Sequence, residues 1–157
     1  MMAAAMPADL SEYAREALNN FLIILDDLDY NIYYEILDLG RFQFLRRRQI
    51  FIEMKSLHIA LWRLAISHSF PAEGEKMFSA FLDAYARTHH GKEDLQIVQR
   101  APQYWGMIAP VGESDFSYVS RHLISFFPRR EKDLKAITLK LALRLHASYR
   151  FIFDRVI

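Results

Sequence analysis

The sequence has no cysteine among its 157 residues, which removes several kinds of chemistry at once. A chain without thiols forms no disulfide, provides no cysteine nucleophile and binds neither zinc nor an iron–sulfur cluster through sulfur. A protein without disulfides fits a reducing compartment, so we expect a cytoplasmic location.

Long hydrophobic runs are also missing. The longest uninterrupted one near the start is Phe21–Leu25, whereas a membrane-spanning helix needs roughly 20 apolar residues. The first residues contain no basic segment followed by an apolar stretch, so we predict neither a secretory signal nor a transmembrane segment.

Glycine and proline are scarce, with five of each. So few turn-forming residues favour long helices over many short strands. Hydrophobic residues make up 52% of the chain, enough to build a core, and its length fits one domain. We therefore expect a single domain covering residues 1–157, with residues 1–8 as an N-terminal tail.

The usual signatures of catalysis and metal binding are absent from the sequence. No glutamate stands three residues before a histidine, and there is no His-Glu-x-x-His sequence, so no metal ligands are predicted. Phosphate-binding glycine loops and the Gly-x-Ser-x-Gly elbow of hydrolases are missing too. We predict no catalytic residue and no cofactor, and we favour a protein that is not an enzyme.

Hydrophobic periodicity predicts helices at the start of the chain. Apolar residues recur every three or four positions from Leu10 to Leu39, between a capping residue at Asp9 and a stop at Gly40. The next segment, residues 41–69, contains no glycine or proline and has a wide apolar face, as in a central helix. These two helices are predicted to form a long antiparallel hairpin.

Further helices are predicted at residues 73–90 and 130–155, with shorter ones near 93–100 and 115–127. Residues 99–114 contain four of the ten glycines and prolines, and they are predicted to form an irregular aromatic loop. The expected architecture is an all-α, single-domain helical bundle of five or six helices.

Charge is divided unevenly along the chain. Residues 1–40 contain eight acidic residues and one arginine, whereas residues 41–157 contain nineteen basic and eleven acidic residues. We expect the acidic arm to pack along the basic helices. The same polarity would let the acidic arm of one copy meet the basic face of another, so a homo-oligomer is a further prediction.

Arg100, Tyr104 and Trp105 lie in the predicted aromatic loop. Residues of these types often anchor interfaces, so they are candidates for binding a partner or ligand. The alternative interpretation is that the loop folds its aromatic side chains over the core as a plug.

His58 and Trp62 lie one turn apart in an apolar helix. A histidine on such a face is either a core residue with a hydrogen-bonded partner or a ligand-binding group, for example toward haem. Both residues are therefore candidates for lining a ligand pocket.

Arg46, Arg47 and Arg48 form a basic patch. In the predicted hairpin they face Glu35, Asp38 and water; alternatively, they bind the phosphates of a nucleic acid. Nucleic acid is the less favoured partner, because the acidic arm offsets the basic charge and no helix-turn-helix is evident.

The leading functional hypothesis is a non-enzymatic adaptor or regulatory protein that acts through protein–protein contacts with another protein. The alternative is a ligand-binding helical bundle, a sensor or an enzyme, with a pocket for an apolar or haem-like ligand near His58 and residues 100–112. Nucleic-acid binding through the basic patches is a second alternative. A cavity beside His58 would favour the ligand pocket, and a solid core there would favour a binding surface.

Overall fold

The helices of this chain surround one long central helix. A computed structural model describes residues 9–127 and 131–156, and within these ranges it contains no strand. The all-α, single-domain class is confirmed, with more helices than the predicted five or six. The described residues form seven α-helices: α1 (Glu12–Asp27), α2 (Asn31–Ile36), α3 (Phe44–Ser69), α4 (Gly74–Thr88), α5 (Lys92–Ile108), α6 (Ser117–Ile124) and α7 (Glu131–Val156).

The first helix begins later than predicted. Ser11 is the N-terminal cap of α1, and its Oγ accepts a hydrogen bond from the Ala14 amide at 3.2 Å. The Ser11 amide and hydroxyl both donate to the carboxylate of Glu73, and Asp9 pairs with Lys76 at 2.6 Å. Asp9 therefore ties the start of α1 to α4 instead of capping α1.

The predicted single helix up to Gly40 is two helices. The chain leaves helical geometry at Leu28, and the Asp29 side chain then accepts the Asn31 amide at the start of α2. This break turns Tyr30 and Tyr33 into the core, where both are buried. The second helix ends at Ile36, and Asp38 follows with a φ of 55°, which aspartate tolerates better than most residues.

The acidic arm packs against several later helices. Its α1 segment contacts α3, α4 and α7, so the predicted antiparallel hairpin is only approximate. The face of α1 that includes Leu18 and Phe21 is buried. Two acids of the arm pair with later helices, Asp9 with Lys76 and Asp26 with Lys55 at 3.4 Å. Apolar burial rather than charge pairing thus holds the arm in place.

Helix α3 is the centre of the fold. It contacts α1, α4, α5 and α7, and its residues from Ile50 to Ile66 are buried on almost every side. Trp62 stacks on Phe21 of α1, with ring centroids 4.9 Å apart. The sequence predicted this central helix, because a helix that is apolar all round belongs in a core.

The predicted irregular aromatic loop is wrong over most of its length. Residues 99–108 form the second half of α5, with Pro102 inside the helix. Ile97, Ala101, Tyr104 and Ile108 are buried at helical spacing on both sides of this proline. Their burial outweighs the cost of a proline inside a helix, which is about 3 kcal/mol for the lost hydrogen bond and the ring clash together. Only residues 109–116 remain outside α-helices before α6.

Helix α7 completes the bundle. Its buried positions are spaced three or four residues apart and are Leu141, Leu145, Tyr149 and Ile152. Leu139 and Leu143 of the same helix are exposed. Among the helices that the structure describes, none combines the length and the apolar character needed to cross a bilayer.

Candidate functional site

A cavity of about 390 Å³ lies beside His58. It is bounded by the end of α1, the link to α2 and α2 itself, by the middle of α3 and by the second half of α7. Its described lining residues are Asp27, Leu28, Asp29, Tyr33, His58, Arg144, Ala147, Ser148 and Phe151.

His58 is a buried polar group of this cavity, with only 3% of its surface exposed. Its Nδ1 atom lies 2.7 Å from the Met54 carbonyl oxygen. A carbonyl can only accept, so Nδ1 carries the proton and the neutral ring keeps a lone pair on Nε2. The rings of Tyr30 and Tyr33 pack edge-on against the imidazole.

Burial sets the charge of His58. Removal from water, together with the positive charge of Arg144, lowers the pKa of its imidazole to about 4, although the Met54 hydrogen bond acts in the opposite direction. The ring is therefore neutral at pH 7, where it offers a hydrogen-bond acceptor on Nε2.

Tyr33 and Ser148 supply two hydroxyls to the cavity. Their oxygen atoms are 2.5 Å apart, and either one can donate. Burial raises the pKa of the Tyr33 phenol to about 12, although the Ser148 hydrogen bond and Arg144 act in the opposite direction. Tyr33 thus stays protonated at any physiological pH.

The mouth of the cavity carries charges of both signs. Asp27 and Asp29 are exposed on one side, and Arg144 is exposed on α7. The Asp29 carboxylate also accepts the Asn31 amide at 2.9 Å, which fixes its orientation. A neutral acceptor inside and opposite charges at the entrance suit a compact polar molecule.

No cluster of three or more histidine, aspartate or glutamate side chains in the described ranges could hold a metal ion. The cavity offers one imidazole and two rim carboxylates, one of which is already hydrogen-bonded to backbone. These groups are suited to hydrogen bonding and ion pairing with a ligand.

The other residues predicted for this pocket lie elsewhere. Trp62 is buried against Phe21, and Tyr104 is buried on α5. Trp105 is half-buried, with the guanidinium of Arg63 4.4 Å from its ring centroid. None of the three lines the cavity beside His58. His58 lines a cavity, but residues 100–112, which the pocket hypothesis joined to it, are not part of the lining.

A buried carboxylate holds the Arg100 region together. Glu53 on α3 is 1% exposed, and it forms an ion pair with Arg100. The Tyr104 hydroxyl donates to Glu53 at 2.5 Å, and the Gln49 amide donates to it at 3.1 Å. Burial raises the pKa of the Tyr104 phenol above its ordinary value.

The sequence analysis missed Glu53. The sequence does carry a signal for it, because Glu53 is an acidic residue inside the apolar run of α3. Arg100 and Tyr104, four residues apart in a later segment, are suitable partners. Because every partner comes from α3 or α5, this network joins two helices. Arg100 and Tyr104 are thereby placed in a structural contact.

The arginine triplet does not face Glu35 and Asp38 as predicted. Arg47 donates from two nitrogens to the Leu39 carbonyl, at 2.9 and 3.1 Å. Arg48 pairs with Glu93 of α5 at 2.5 Å, and Arg46 lies over the Phe127 ring. The arginines have other partners than predicted because the turn after Asp38 shifts the register that a straight hairpin would have.

A second concave surface lies between α6 and α7 and has a volume of about 760 Å³. Its apolar side chains are Ile124, Phe127, Leu134 and Leu139, and its basic ones are Arg121 and Lys135. We call this surface the α6–α7 groove. It is basic and apolar, whereas the exposed face of α1 is acidic.

No protein-family model matches the chain, and neither a curated protein nor a solved structure matches it. The functional assignment therefore rests on the chemistry of the surfaces described above.

Proposed function

We propose that the protein is a ligand-binding helical bundle and that the cavity beside His58 is its binding site. The observation that supports this most directly is the cavity itself, about 390 Å³ in volume, with a buried neutral imidazole in its lining. This is the second of the hypotheses that the sequence left open.

The lining indicates the class of ligand. Nε2 of His58 accepts a hydrogen bond from a ligand N–H or O–H, and Arg144 attracts an anionic group. Asp27 and Asp29 attract a cationic group at the same entrance. A compact molecule that bears both a carboxylate and an amine, such as a free amino acid, satisfies all of these groups at once.

This lining suits an amphoteric ligand better than the apolar or haem-like ligand considered from the sequence. A large apolar ring would cover the two carboxylates and the guanidinium at the mouth without compensating their charges, which is costly. Small polar ligands leave those charges paired and partly hydrated.

Reversible binding fits the site better than acid–base catalysis. A base with a pKa of about 4 has little driving force to take a proton at neutral pH. Tyr33, with its pKa raised to about 12, is a weak acid. Ser148 is hydrogen-bonded to Tyr33, so the hydroxyl has no activating base as its partner.

The test uses protein labelled at its histidine rings and follows them by NMR. Free amino acids serve as amphoteric probes, short carboxylates as anionic probes and alkyl amines as cationic probes. We expect the His58 ring signals to shift and saturate with an amphoteric probe, and only weakly with either singly charged class. His58 ring signals that none of the three probe classes shifts would contradict the proposal.

Two arginines of α7 provide a test variant and its matched control. Arg144→Ala removes the guanidinium at the cavity mouth and is expected to weaken probe binding by about tenfold or more. Arg150→Ala removes an exposed guanidinium six residues later, outside the cavity lining, and is expected to leave binding unchanged. Equal affinities in the two variants would contradict the assigned role of Arg144.

Protein–protein contact, the leading hypothesis from the sequence, is the second candidate function. The α6–α7 groove favours it, because its apolar floor and basic rim complement an acidic helix with apolar anchors. Helix α1 has this character, because Tyr13 and Ile23 are exposed among the acidic residues of this helix. We therefore propose that α1 of a second copy occupies the groove.

Light scattering coupled to gel filtration tests this contact. At low salt we expect a concentration-dependent oligomer that dissociates at high salt, because charge attraction is screened. The double variant Tyr13→Ser with Ile23→Ser should remain monomeric. A wild-type monomer at every concentration and salt level would exclude self-association through this groove.

A further inference from the structure

Three large apolar side chains at the start of α3 are exposed to solvent. Phe42 is 83% exposed, Phe44 is 70% exposed and Leu45 is 81% exposed. They belong to an unbroken run of exposed residues from Gly40 to Arg46. We call Phe42, Phe44 and Leu45 the apolar tip.

Exposure of this kind is unusual in a folded domain. Single exposed apolar residues are normal, whereas three large ones within four positions indicate a surface that is covered in use. The tip is also apart from the cavity beside His58, so its role is independent of the proposed ligand binding.

The charge around the tip is positive. Four arginines lie between positions 41 and 48, and no acidic residue occurs between Asp38 and Glu53. Arg41 and Arg46 lie over the rings of Phe42 and Phe127, each with 5.7 Å between guanidinium carbon and ring centroid. Such contacts hold the arginine stems against apolar surface while leaving their charge available.

The fold places the tip at one end of the molecule. Helix α3 begins there and extends for 26 residues, about 39 Å at the usual rise per residue. The first turn of α3 contains no acid, and Gln43 makes no capping hydrogen bond through its side chain. The positive end of the helix dipole therefore reinforces the arginines.

We propose that the apolar tip attaches the protein to the surface of an anionic lipid bilayer. Phe42, Phe44 and Leu45 enter the boundary between headgroups and acyl chains, while Arg41 and Arg46 contact lipid phosphates. Basic residues beside Phe and Leu are the composition that favours this interfacial position. Anionic lipids attract each such arginine by about 1 kcal/mol, a fivefold gain in affinity.

The shape of the tip favours a bilayer over a protein partner. A protein would need a pocket that matches a protruding group of three side chains. A bilayer accepts any protruding apolar group of this size and adds a uniform layer of phosphates around it. None of residues 40–46 lines the cavity beside His58 or the α6–α7 groove.

Flotation with vesicles tests the proposal. We expect the wild-type protein to float with vesicles of phosphatidylcholine and phosphatidylserine at low salt, and not with phosphatidylcholine alone. The triple variant F42S/F44S/L45S should bind more than about 100-fold more weakly. The double variant R41A/R46A should bind at least about tenfold more weakly.

Matched controls remove similar groups elsewhere. L95S/L143S removes two exposed apolar side chains from α5 and α7, and R87A/R150A removes two exposed arginines. Both are expected to float like the wild type. All substituted positions are exposed, and circular dichroism checks that each variant keeps its helical content.

Fluorescence then distinguishes insertion from attraction by charge alone. In F44W the new indole should shift to shorter wavelength on anionic vesicles and be quenched by lipids brominated on their acyl chains. The control L143W should show neither change. The proposal is overturned by a wild type that floats with no vesicle, by a triple variant that still floats, or by an F44W signal that vesicles leave unchanged. Absence of vesicle binding would instead assign the tip to a protein partner.

Discussion

Nδ1 of His58 lies 2.7 Å from the carbonyl oxygen of Met54, one turn earlier in α3. This contact holds the proton on Nδ1 and leaves Nε2 as the acceptor. Because the ring is buried and its pKa is lowered to about 4, the contact persists as a neutral hydrogen bond at pH 7. The polarity of the cavity thus follows from a local bond within one helix.

The lowered pKa of His58 predicts that acid destabilises the fold. In the unfolded chain the imidazole takes up a proton below about pH 6.5, whereas in the folded protein it does so only near pH 4. The unfolded state therefore binds more protons between these values, and stability is lost as pH falls through this window. A shift of this size corresponds to about 3 kcal/mol.

Urea unfolding at pH 7 and at pH 5 measures this effect. His58→Gln should be less stable than the wild type at pH 7 but should lose less stability on acidification. The exposed His68→Gln serves as the control and should keep the wild-type pH dependence. If the His58 variant and the wild type lose equal stability, the imidazole is already accessible to protons in the folded state.

The Glu53 network predicts a large cost for removing its carboxylate. Glu53→Ala leaves the partly buried charge of Arg100 without its partner and should destabilise the protein by about 3–5 kcal/mol. Tyr104→Phe removes one hydrogen bond and should cost about 1–2 kcal/mol. The control is Glu93→Ala, which breaks the exposed pair with Arg48 and should cost no more than about 1 kcal/mol.

Chemical denaturation of these variants compares the two ion pairs directly. The double substitution E53M/R100M removes both charges and should recover much of the stability lost in Glu53→Ala. Similar losses from Glu53→Ala and Glu93→Ala would show that the α3–α5 contact does not depend on the buried carboxylate.

Pro102 is predicted to weaken α5. Pro102→Ala restores the amide that can donate to the Val98 carbonyl, and Pro102 itself is exposed. The greater freedom of the unfolded chain offsets part of this gain, so we expect about 1–2 kcal/mol of added stability. A thermal unfolding curve measures it. Destabilisation by this substitution would mean that the helix needs the bend which proline introduces.

The sequence predicted those elements whose signal is local and strong. The apolar run of α3 and the spacing of Leu141 and Leu145 in α7 are such signals. Residues 99–108 were mistaken for a loop because Pro102 and Gly106 outweighed the helical spacing of the buried positions. Since tertiary burial decides between these signals, the outcome cannot be read from the local sequence alone.

The candidate site depends on contacts that no local pattern specifies. Tyr33 and Ser148 are 115 positions apart, and Glu53 and Tyr104 are 51 positions apart. His58 was recognisable as a histidine in an apolar helix. Its neighbours from α7 became visible only through the packing of α7 on α3.

The most direct test of the account is the protonation state of the His58 ring, observed by long-range proton–nitrogen NMR at pH 7. We predict a neutral ring with its proton on Nδ1, and an Nε2 signal that moves when an amphoteric probe is added. A charged ring, or an Nε2 signal that no probe of any charge class changes, would contradict the assignment of this cavity as the binding site.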